Sequence, residues 1–167
     1  FIGYNFRIKG LNIAIDAVKE SQTFILDIIG EDSKFYLENT PNNVNFLGKR
    51  QFNQIPWNDY GFLIFPSHSD AYALVIQESL RNGLVPITSS QAGGSEVLMA
   101  SKFTKDCVVR QNENQLNNKD VSSQYLQRLI YYREKILKSE KENLPLSKNI
   151  YDHDKFSEDI IATLLEN

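Results

Sequence analysis

Short apolar runs alternate along the chain with stretches in which hydrophobic residues recur at helical spacing. Near-continuous apolar runs are typical of buried strands, and the wider spacing is typical of helices that bury one face. This pattern predicts six strands, at residues 1–4, 24–30, 44–48, 60–67, 85–88 and 107–109. It also predicts helices over residues 10–22, 74–82 and 121–139, and a last helix marked by Phe156, Ile160 and Leu164.

Strands that alternate with helices predict a parallel sheet that is covered by helices. We therefore predict an α/β fold, a Rossmann-like doubly wound parallel sheet of about six strands with helices on both faces. Ligands of such folds bind at the carboxyl ends of the strands, near a topological switch point. The loops that follow the predicted strands are thus the places to search for a site. Residues 111–119 and 143–154 are predicted to be irregular connections.

Length and composition mainly exclude other classes of protein. A chain of 167 residues with 41% hydrophobic residues predicts one folded domain. The 18 basic and 21 acidic side chains form no basic block, which argues against non-specific nucleic-acid binding. No apolar run approaches the ~20 residues that a membrane-spanning helix needs.

Cysteine and histidine usage excludes two further classes of protein. One cysteine, Cys107, cannot form an internal disulfide, and no Cys/His cluster has zinc-ligand spacing. Cys107 lies in an apolar stretch and is predicted to be a core residue. The composition suits a reducing cytoplasm. The chain begins at Phe1, inside the first predicted strand, so we expect it to be one domain of a longer protein.

Two acidic residues mark the loop and helix that follow the fourth predicted strand. Asp70 lies in the loop and Glu78 lies eight positions on, in the helix. The helix begins near residues 72–74, where free amides and the positive end of the helix dipole favour an anion. Carboxylates beside an anion site could accept hydrogen bonds from a polyol, a pattern that suits a phosphate joined to sugars. The alternative is that Asp70 caps the helix and Glu78 is an ordinary exposed charge.

Other candidate groups follow the first and fifth predicted strands. Arg7 and Lys9 could meet a diphosphate from the opposite side, although a solvated turn explains them equally well. The Gly93-Gly94 turn would let backbone approach a ligand closely. His68 adjoins the candidate site but has no partner at metal spacing.

Taken in order, these features resemble the C-terminal donor-binding domain of retaining GT-B glycosyltransferases, the large group called family 4. The resemblance extends from residue 1 to about residue 98 and depends on five motifs in register. They are Lys9-Gly10, the V-x-F-x-G run at 44–48, Asp70 with Glu78 seven spacers later, Asn82-Gly83 with Pro86, and Gly93-Gly94 with Glu96.

The resemblance implies a role for each matching residue. Lys9 would contact the donor diphosphate, with Arg7 as a second cation, and Asp70 would face the transferred sugar. These three would be the catalytic residues. Glu78 would hold the ribose hydroxyls. The other nucleotide-sugar contacts would come from Gly3, Gly48, the main chain of Lys49 and Arg50, Ala71, and the amides of Tyr72, Ala73 and Leu74.

The resemblance also implies an activity and a division of labour. A hexosyltransferase of this kind moves a sugar with retention from a nucleotide-sugar, such as a UDP- or GDP-sugar, without a metal or other cofactor. The acceptor would be a glycan or glycolipid of surface-polysaccharide or glycolipid assembly. Residues 1–167 would form the donor-binding domain alone, because an N-terminal Rossmann-like domain would carry most of the acceptor site. We therefore expect this piece to bind nucleotide and to fail in transfer.

The full-length protein is expected in the cytoplasm, and its absent domain would decide any peripheral association with the inner face of the membrane.

Three departures from the family pattern leave alternatives open. Tyr4 stands where the family has Arg, Asp70 stands where Glu is usual, and residues 71–73 read Ala-Tyr-Ala where the family has Gly-Phe-Gly. One alternative is a non-catalytic GT-B-like domain that binds nucleotide or partners an active subunit. Another is an unrelated doubly wound module, such as a flavodoxin-like domain, although no acidic cluster follows the first strand.

Overall fold

The computed structural model describes residues 1–30, 40–101, 104–111 and 118–141. Within these ranges the chain forms six strands and four α-helices, and each strand except β2 and β3 is followed by an α-helix. The strands are β1 (Ile2–Gly3), β2 (Leu26–Gly30), β3 (Val44–Gly48), β4 (Phe62–Phe65), β5 (Val85–Ser89) and β6 (Val108–Val109). The helices are α1 (Leu11–Val18), α2 (Leu74–Arg81), α3 (Ser95–Ala100) and α4 (Asn118–Lys141).

The observed elements confirm the six predicted strands and the helices predicted over residues 10–22, 74–82 and 121–139, although several bounds differ by up to a few residues. Helix α3 was not predicted, because the Gly-Gly pair before it indicated only a turn. Helix α4 begins at Asn118, so the predicted irregular stretch 111–119 ends inside it. The predicted last helix and the predicted connection over 143–154 lie outside the described residues.

The six strands form two parallel ladders of three, which confirms the α/β, Rossmann-like prediction. The first sheet has the order β1-β2-β3 and the second has the order β4-β5-β6. Strands β1 and β4 are the neighbouring edges of the two sheets, because the rings of Phe1 and Phe65 lie 6.2 Å apart. The amide of His68 also donates to the carbonyl of Ile8 at 2.8 Å, which joins the loops after these strands. The chain therefore reverses its direction of winding between β1 and β4, and this boundary is a topological switch point.

The helices bury one face each against this frame. Helix α1 packs against α4, whereas α2 contacts β4 and β5. The predicted stripe along α4 is confirmed, since Tyr125, Leu129 and Tyr132 are buried and Ile136 is partly buried. In the part of the chain that the structure describes, no helix combines the length and the apolar character needed to cross a membrane.

Gly10 brings the start of α1 against the loop that follows β4. Its φ of +70° lies in the left-handed region, and a Cβ atom there would lie 2.1 Å from the carbonyl oxygen of Pro66. Only glycine fits both conditions. This close approach places the neighbouring Lys9 beside the loop after β4.

Candidate functional site

The loops after β1 and β4 meet through an ion pair at the switch point. Lys9 Nζ lies 2.6 Å from Asp70 Oδ2, and the two side chains are only 20% and 17% exposed. The same ammonium donates to the carbonyl of Ser69 at 3.4 Å and lies 5.9 Å from the centre of the Phe65 ring. Two residues 61 positions apart thus form one unit at the carboxyl ends of the strands.

The loop that carries Asp70 is fixed by the loop after β5. The amide of Gly93 donates to the carbonyl of Asp70, and the carbonyl of Gly93 accepts from the amide of Ala73 at 2.9 Å. A Cβ atom on Gly93 would lie 2.2 Å from the carbonyl oxygen of Ala71. The Gly-Gly turn therefore admits the backbone of a neighbouring loop, which is the close approach seen in this structure.

The amides expected to hold a phosphate already donate within the protein. The Tyr72 amide donates to Asp70 Oδ1 at 3.1 Å, so this carboxylate caps the turn rather than α2. The Ala73 and Leu74 amides donate to the carbonyls of Gly93 and Tyr72. The Val75 amide, in the first turn of α2, has no acceptor among the described residues. A phosphate at this helix end would find the Val75 donor open and would have to exchange the other three hydrogen bonds.

Glu78 lies on α2 and is half-buried. Its backbone carbonyl accepts from the Asn82 side chain at 2.8 Å. Its carboxylate has no hydrogen-bond or ion-pair partner within the described ranges. Both carboxylate oxygens are therefore available to accept hydrogen bonds.

Three basic residues among those predicted for the site lie at the same edge but outside the Lys9–Asp70 pair. Arg7 is exposed in the turn after β1 and has no ion-pair partner in the described part of the chain. Lys49 and Arg50 are exposed after β3, and the Arg50 guanidinium donates to the Lys49 carbonyl at 3.3 Å. The Lys49 ammonium lies 5.6 Å from the centre of the Tyr4 ring.

Predicted Gly3 and Gly48 end strands of the first sheet. Gly3 pairs with Gly30 at the end of β2, and Gly48 pairs with Ile29. A Cβ atom on Gly3 would be in ordinary contact with Lys9 Cγ, at 3.4 Å. The open end of the first sheet therefore lies directly beside the Lys9 side chain.

A buried polar network lies beneath the loop after β5, and sequence reasoning did not find it. Ser89 donates to the carbonyl of Ser67 and accepts from the amide of Gln91 at 3.2 Å. The Gln111 side chain donates to the Tyr125 hydroxyl at 3.1 Å, and burial raises the pKa of Tyr125. Small hydroxyl residues at strand ends carry no pattern that could have pointed to this network.

Cys107 is a core residue, as predicted. It is 1% exposed, and desolvation raises the pKa of its thiol to about 11. Among the described residues, no group of three or more His, Cys, Asp or Glu side chains could hold a metal ion.

Comparison with known proteins shows which solved structures share the fold of this chain. No protein-family model matches the chain, and no curated protein matches it. Solved structures do match. The glycosyltransferase WaaG of lipopolysaccharide biosynthesis has a TM-score of 0.58 at 21% identity, over 75% of this chain and 36% of its own. The pneumococcal O-GlcNAc transferase GtfA, solved with UDP and GlcNAc, has a TM-score of 0.69 at 16% identity, over 99% of this chain and 35% of its own.

A third matching structure also contains a uridine nucleotide. Anabaena HepE, solved with UDP-glucose, has a TM-score of 0.54 at 15% identity, over 99% of this chain and 48% of its own. The chain therefore spans about a third to a half of the length of these solved proteins. The chain has the α/β fold of one segment of these three solved proteins, two of which are named as glycosyl- or O-GlcNAc transferases.

Proposed function

We propose that residues 1–167 are the donor-binding domain of a retaining GT-B glycosyltransferase of family 4, which transfers a hexose from a nucleotide-sugar such as a UDP- or GDP-sugar. The observation that carries this proposal is the Lys9–Asp70 pair at the switch point. It combines a cation and a carboxylate at the carboxyl ends of the strands, where doubly wound folds bind their ligands. Solved proteins of the same fold are described with UDP and UDP-glucose, which supports the nucleotide-sugar class.

The proposed binding mode follows the donor from base to sugar. The base lies along the main chain of Lys49 and Arg50, and the free carboxylate of Glu78 accepts hydrogen bonds from the two ribose hydroxyls. The diphosphate lies against Lys9 and the start of α2, where the helix dipole and the Val75 amide favour negative charge. The sugar then lies beside Asp70, whose Oδ2 is shared with Lys9.

The proposed contribution to chemistry is electrostatic. When the bond between the sugar and the diphosphate breaks, negative charge grows on the departing diphosphate. A fixed cation and helix amides stabilise that charge, and preorganised groups of this kind lower a barrier strongly. Asp70 holds the Lys9 ammonium in place, so the cation needs no reorganisation during the reaction. This assignment uses no metal or other cofactor.

The acceptor and the cellular setting belong to the same proposal. Most of the acceptor site would come from an N-terminal Rossmann-like domain outside residues 1–167. The acceptor would be a glycan or glycolipid of surface-polysaccharide or glycolipid assembly. The full-length protein would work in the cytoplasm, with any contact to the inner face of the membrane made by that other domain.

The alternative is a non-catalytic domain of the same fold that binds nucleotide or a partner. The observation that favours it is the compensation of the Lys9 charge by Asp70 at 2.6 Å, which leaves Lys9 less able to neutralise a leaving group. Replacing Asp70 and Glu78 in the full-length protein separates the two. Loss of its cellular function supports transfer, and unchanged function supports the alternative.

The direct test is calorimetric titration of this chain with UDP, GDP and ADP in EDTA. We expect one of the three to bind, and Glu78→Ala to weaken that binding by about tenfold or more, because hydrogen bonds to a charged acceptor are strong. Glu134→Ala, which removes an exposed charge from α4, is the matched control and should bind like the wild type. A folded wild-type chain that binds none of the three, or equal binding by Glu78→Ala, would overturn the proposal.

A further inference from the structure

We propose that Lys49 is a phosphate-binding residue of this site and that Tyr4 is the residue that positions it. The inference rests on the proposed function and adds the cation that the Lys9–Asp70 pair does not supply. It starts from the contact between the loops after β3 and β1, where the Lys49 ammonium lies 5.6 Å from the centre of the Tyr4 ring.

The charge at the switch point requires another cation. Lys9 lies 2.6 Å from Asp70, so the pair is neutral as a unit. A nucleoside diphosphate brings more than one negative charge to the same place. The helix end contributes about half an elementary charge. A second, uncompensated cation near Lys9 would therefore be needed to neutralise the ligand.

The register of the first sheet places the Lys49 side chain across the end of β2. Strands β1 and β3 both pair with β2, so their ends lie about 10 Å apart, two strand spacings. Lys49 follows β3 and its ammonium reaches the ring of Tyr4, which follows β1. The residue before Tyr4 is Gly3, whose α-carbon faces the Lys9 side chain. Lys49 thus reaches across the end of β2 to Tyr4, the residue next to the glycine that contacts Lys9.

The nature of the Tyr4 contact leaves the Lys49 charge available. A carboxylate partner would hold the ammonium and cancel its charge, whereas the face of an aromatic ring attracts a cation and leaves its net charge in place. Lys49 forms no ion pair among the described residues. Tyr4 is 58% exposed. Packing into the core therefore does not explain why an aromatic ring stands at this position.

The contact also distinguishes Lys49 from Arg7, another cation at this edge. Arg7 is exposed and has no ion-pair partner within the described ranges, so nothing holds its guanidinium in one place. Lys49 is already restrained by the ring, and a restrained side chain loses less conformational entropy when it binds a ligand. Of the two, Lys49 is the preorganised one.

The test compares a diphosphate with its nucleoside on the whole chain. We expect Lys49→Met to weaken binding of the nucleoside diphosphate that binds the wild type (UDP, GDP or ADP) by about tenfold, because it removes a charge-assisted hydrogen bond. Binding of the corresponding nucleoside, measured by competition, should not change. Lys105→Met removes another exposed lysine, next to β6, and serves as the charge-matched control with wild-type affinity.

A double-mutant cycle tests the positioning role of Tyr4. Tyr4→Leu should weaken diphosphate binding several-fold, Tyr4→Phe should retain it, and Tyr4→Leu should have no further effect in the Lys49→Met background. If the effects of Tyr4→Leu and Lys49→Met simply add, Tyr4 does not act through Lys49 and that part is wrong. Both side chains are exposed, and unchanged circular dichroism would confirm that the variants fold.

The outcomes separate this inference from the proposed function. Wild-type affinity in Lys49→Met, together with weakened binding in Glu78→Ala, would overturn the role of Lys49 and leave the donor site in place. A folded wild-type chain that binds none of UDP, GDP and ADP would overturn both.

Discussion

Lys9 reaches Asp70 because Gly10 lets the start of α1 lie against the carbonyl of Pro66. A partly exposed ion pair of this kind contributes up to about 1 kcal/mol to stability. Its importance is therefore geometric, since it fixes a cation and a carboxylate at one place on the sheet edge. Gly10 has no side chain, yet its backbone conformation determines where Lys9 lies relative to Asp70.

Gly93 has the same kind of role in the loop after β5. Gly93→Ala puts a Cβ atom 2.2 Å from the carbonyl of Ala71, so one of the two loops must move. We expect the free energy of unfolding to fall by about 1–3 kcal/mol and nucleotide affinity to fall with it. Urea denaturation and calorimetric titration measure the two effects.

Gly61 is the matched control for this prediction. A Cβ atom at Gly61 would meet nothing within 4 Å, so Gly61→Ala should change stability by less than about 0.5 kcal/mol. Equal losses in the two variants would show that the alanine effect does not come from the clash with Ala71.

The buried thiol of Cys107 makes stability depend on pH in the alkaline range. Burial raises its pKa from 9.0 to about 11, so the folded chain holds the proton more tightly than the unfolded chain. The sign follows from linkage: this contribution is complete below pH 9 and is lost as the pH rises toward 11. We expect the free energy of unfolding to fall by about 2 kcal/mol over this window from Cys107 alone. Urea titrations at several pH values measure it.

Cys107→Ala gives the control for that pH dependence. The variant loses some packing at every pH, but its stability should decline less steeply between pH 9 and pH 11. Parallel curves for the two proteins would contradict the assignment to Cys107, because tyrosines that ionise in the same range are present in both.

At the scale of elements, α4 is held to the domain by a narrow apolar stripe. Leu129 is 3% exposed, whereas the next residue, Ile130, is 43% exposed. Leu129→Ala should lower the free energy of unfolding by about 2–5 kcal/mol, because it leaves a cavity where α4 packs against the core. Ile130→Ala, one position along the same helix, should change it by about 0.5 kcal/mol or less. Thermal or urea denaturation distinguishes the two variants. Equal losses in the free energy of unfolding would contradict the assignment of Leu129, rather than Ile130, to the buried face of α4.

The elements could be predicted from sequence where periodicity was strong. Strand β3 was predicted with its observed bounds, and the buried stripe of α4 followed from its spacing. Helix α3 was missed because its six residues are too short to show a period after a Gly-Gly turn. The division of the strands into two three-stranded sheets could not be predicted either. Apolar runs show where strands lie, but they do not show which strands form hydrogen bonds with each other.

The residues of the candidate site could be named from the sequence, but the contacts between them could not. Lys9 and Asp70 were both named, yet as separate ligand contacts, because nothing in the sequence links positions 61 residues apart. The same holds for Tyr4 and Lys49, which meet only after β1 and β3 pair with the same strand. The engagement of the Tyr72, Ala73 and Leu74 amides depends on loop geometry that motif spacing does not encode.

At the scale of the whole molecule, the proposed function gives this chain one side of the transfer site. It spans between 35% and 48% of the solved GtfA and HepE chains that it matches. The proposed donor contacts come from loops and from helix α2, all at one sheet edge. Transfer also needs an acceptor hydroxyl held next to the sugar, and such positioning accounts for a large part of catalysis.

We therefore expect this chain to bind a nucleotide and to leave nucleotide-sugars intact. The measurement is release of UDP or GDP from UDP-glucose or GDP-mannose, followed by a coupled assay under conditions where titration shows the site to be saturated. The rate should equal that of Asp70→Ala, because neither protein positions an acceptor. A wild-type rate clearly above that of Asp70→Ala would contradict the proposed division of labour, since it would mean that Asp70 and Lys9 complete a reactive site on this segment alone.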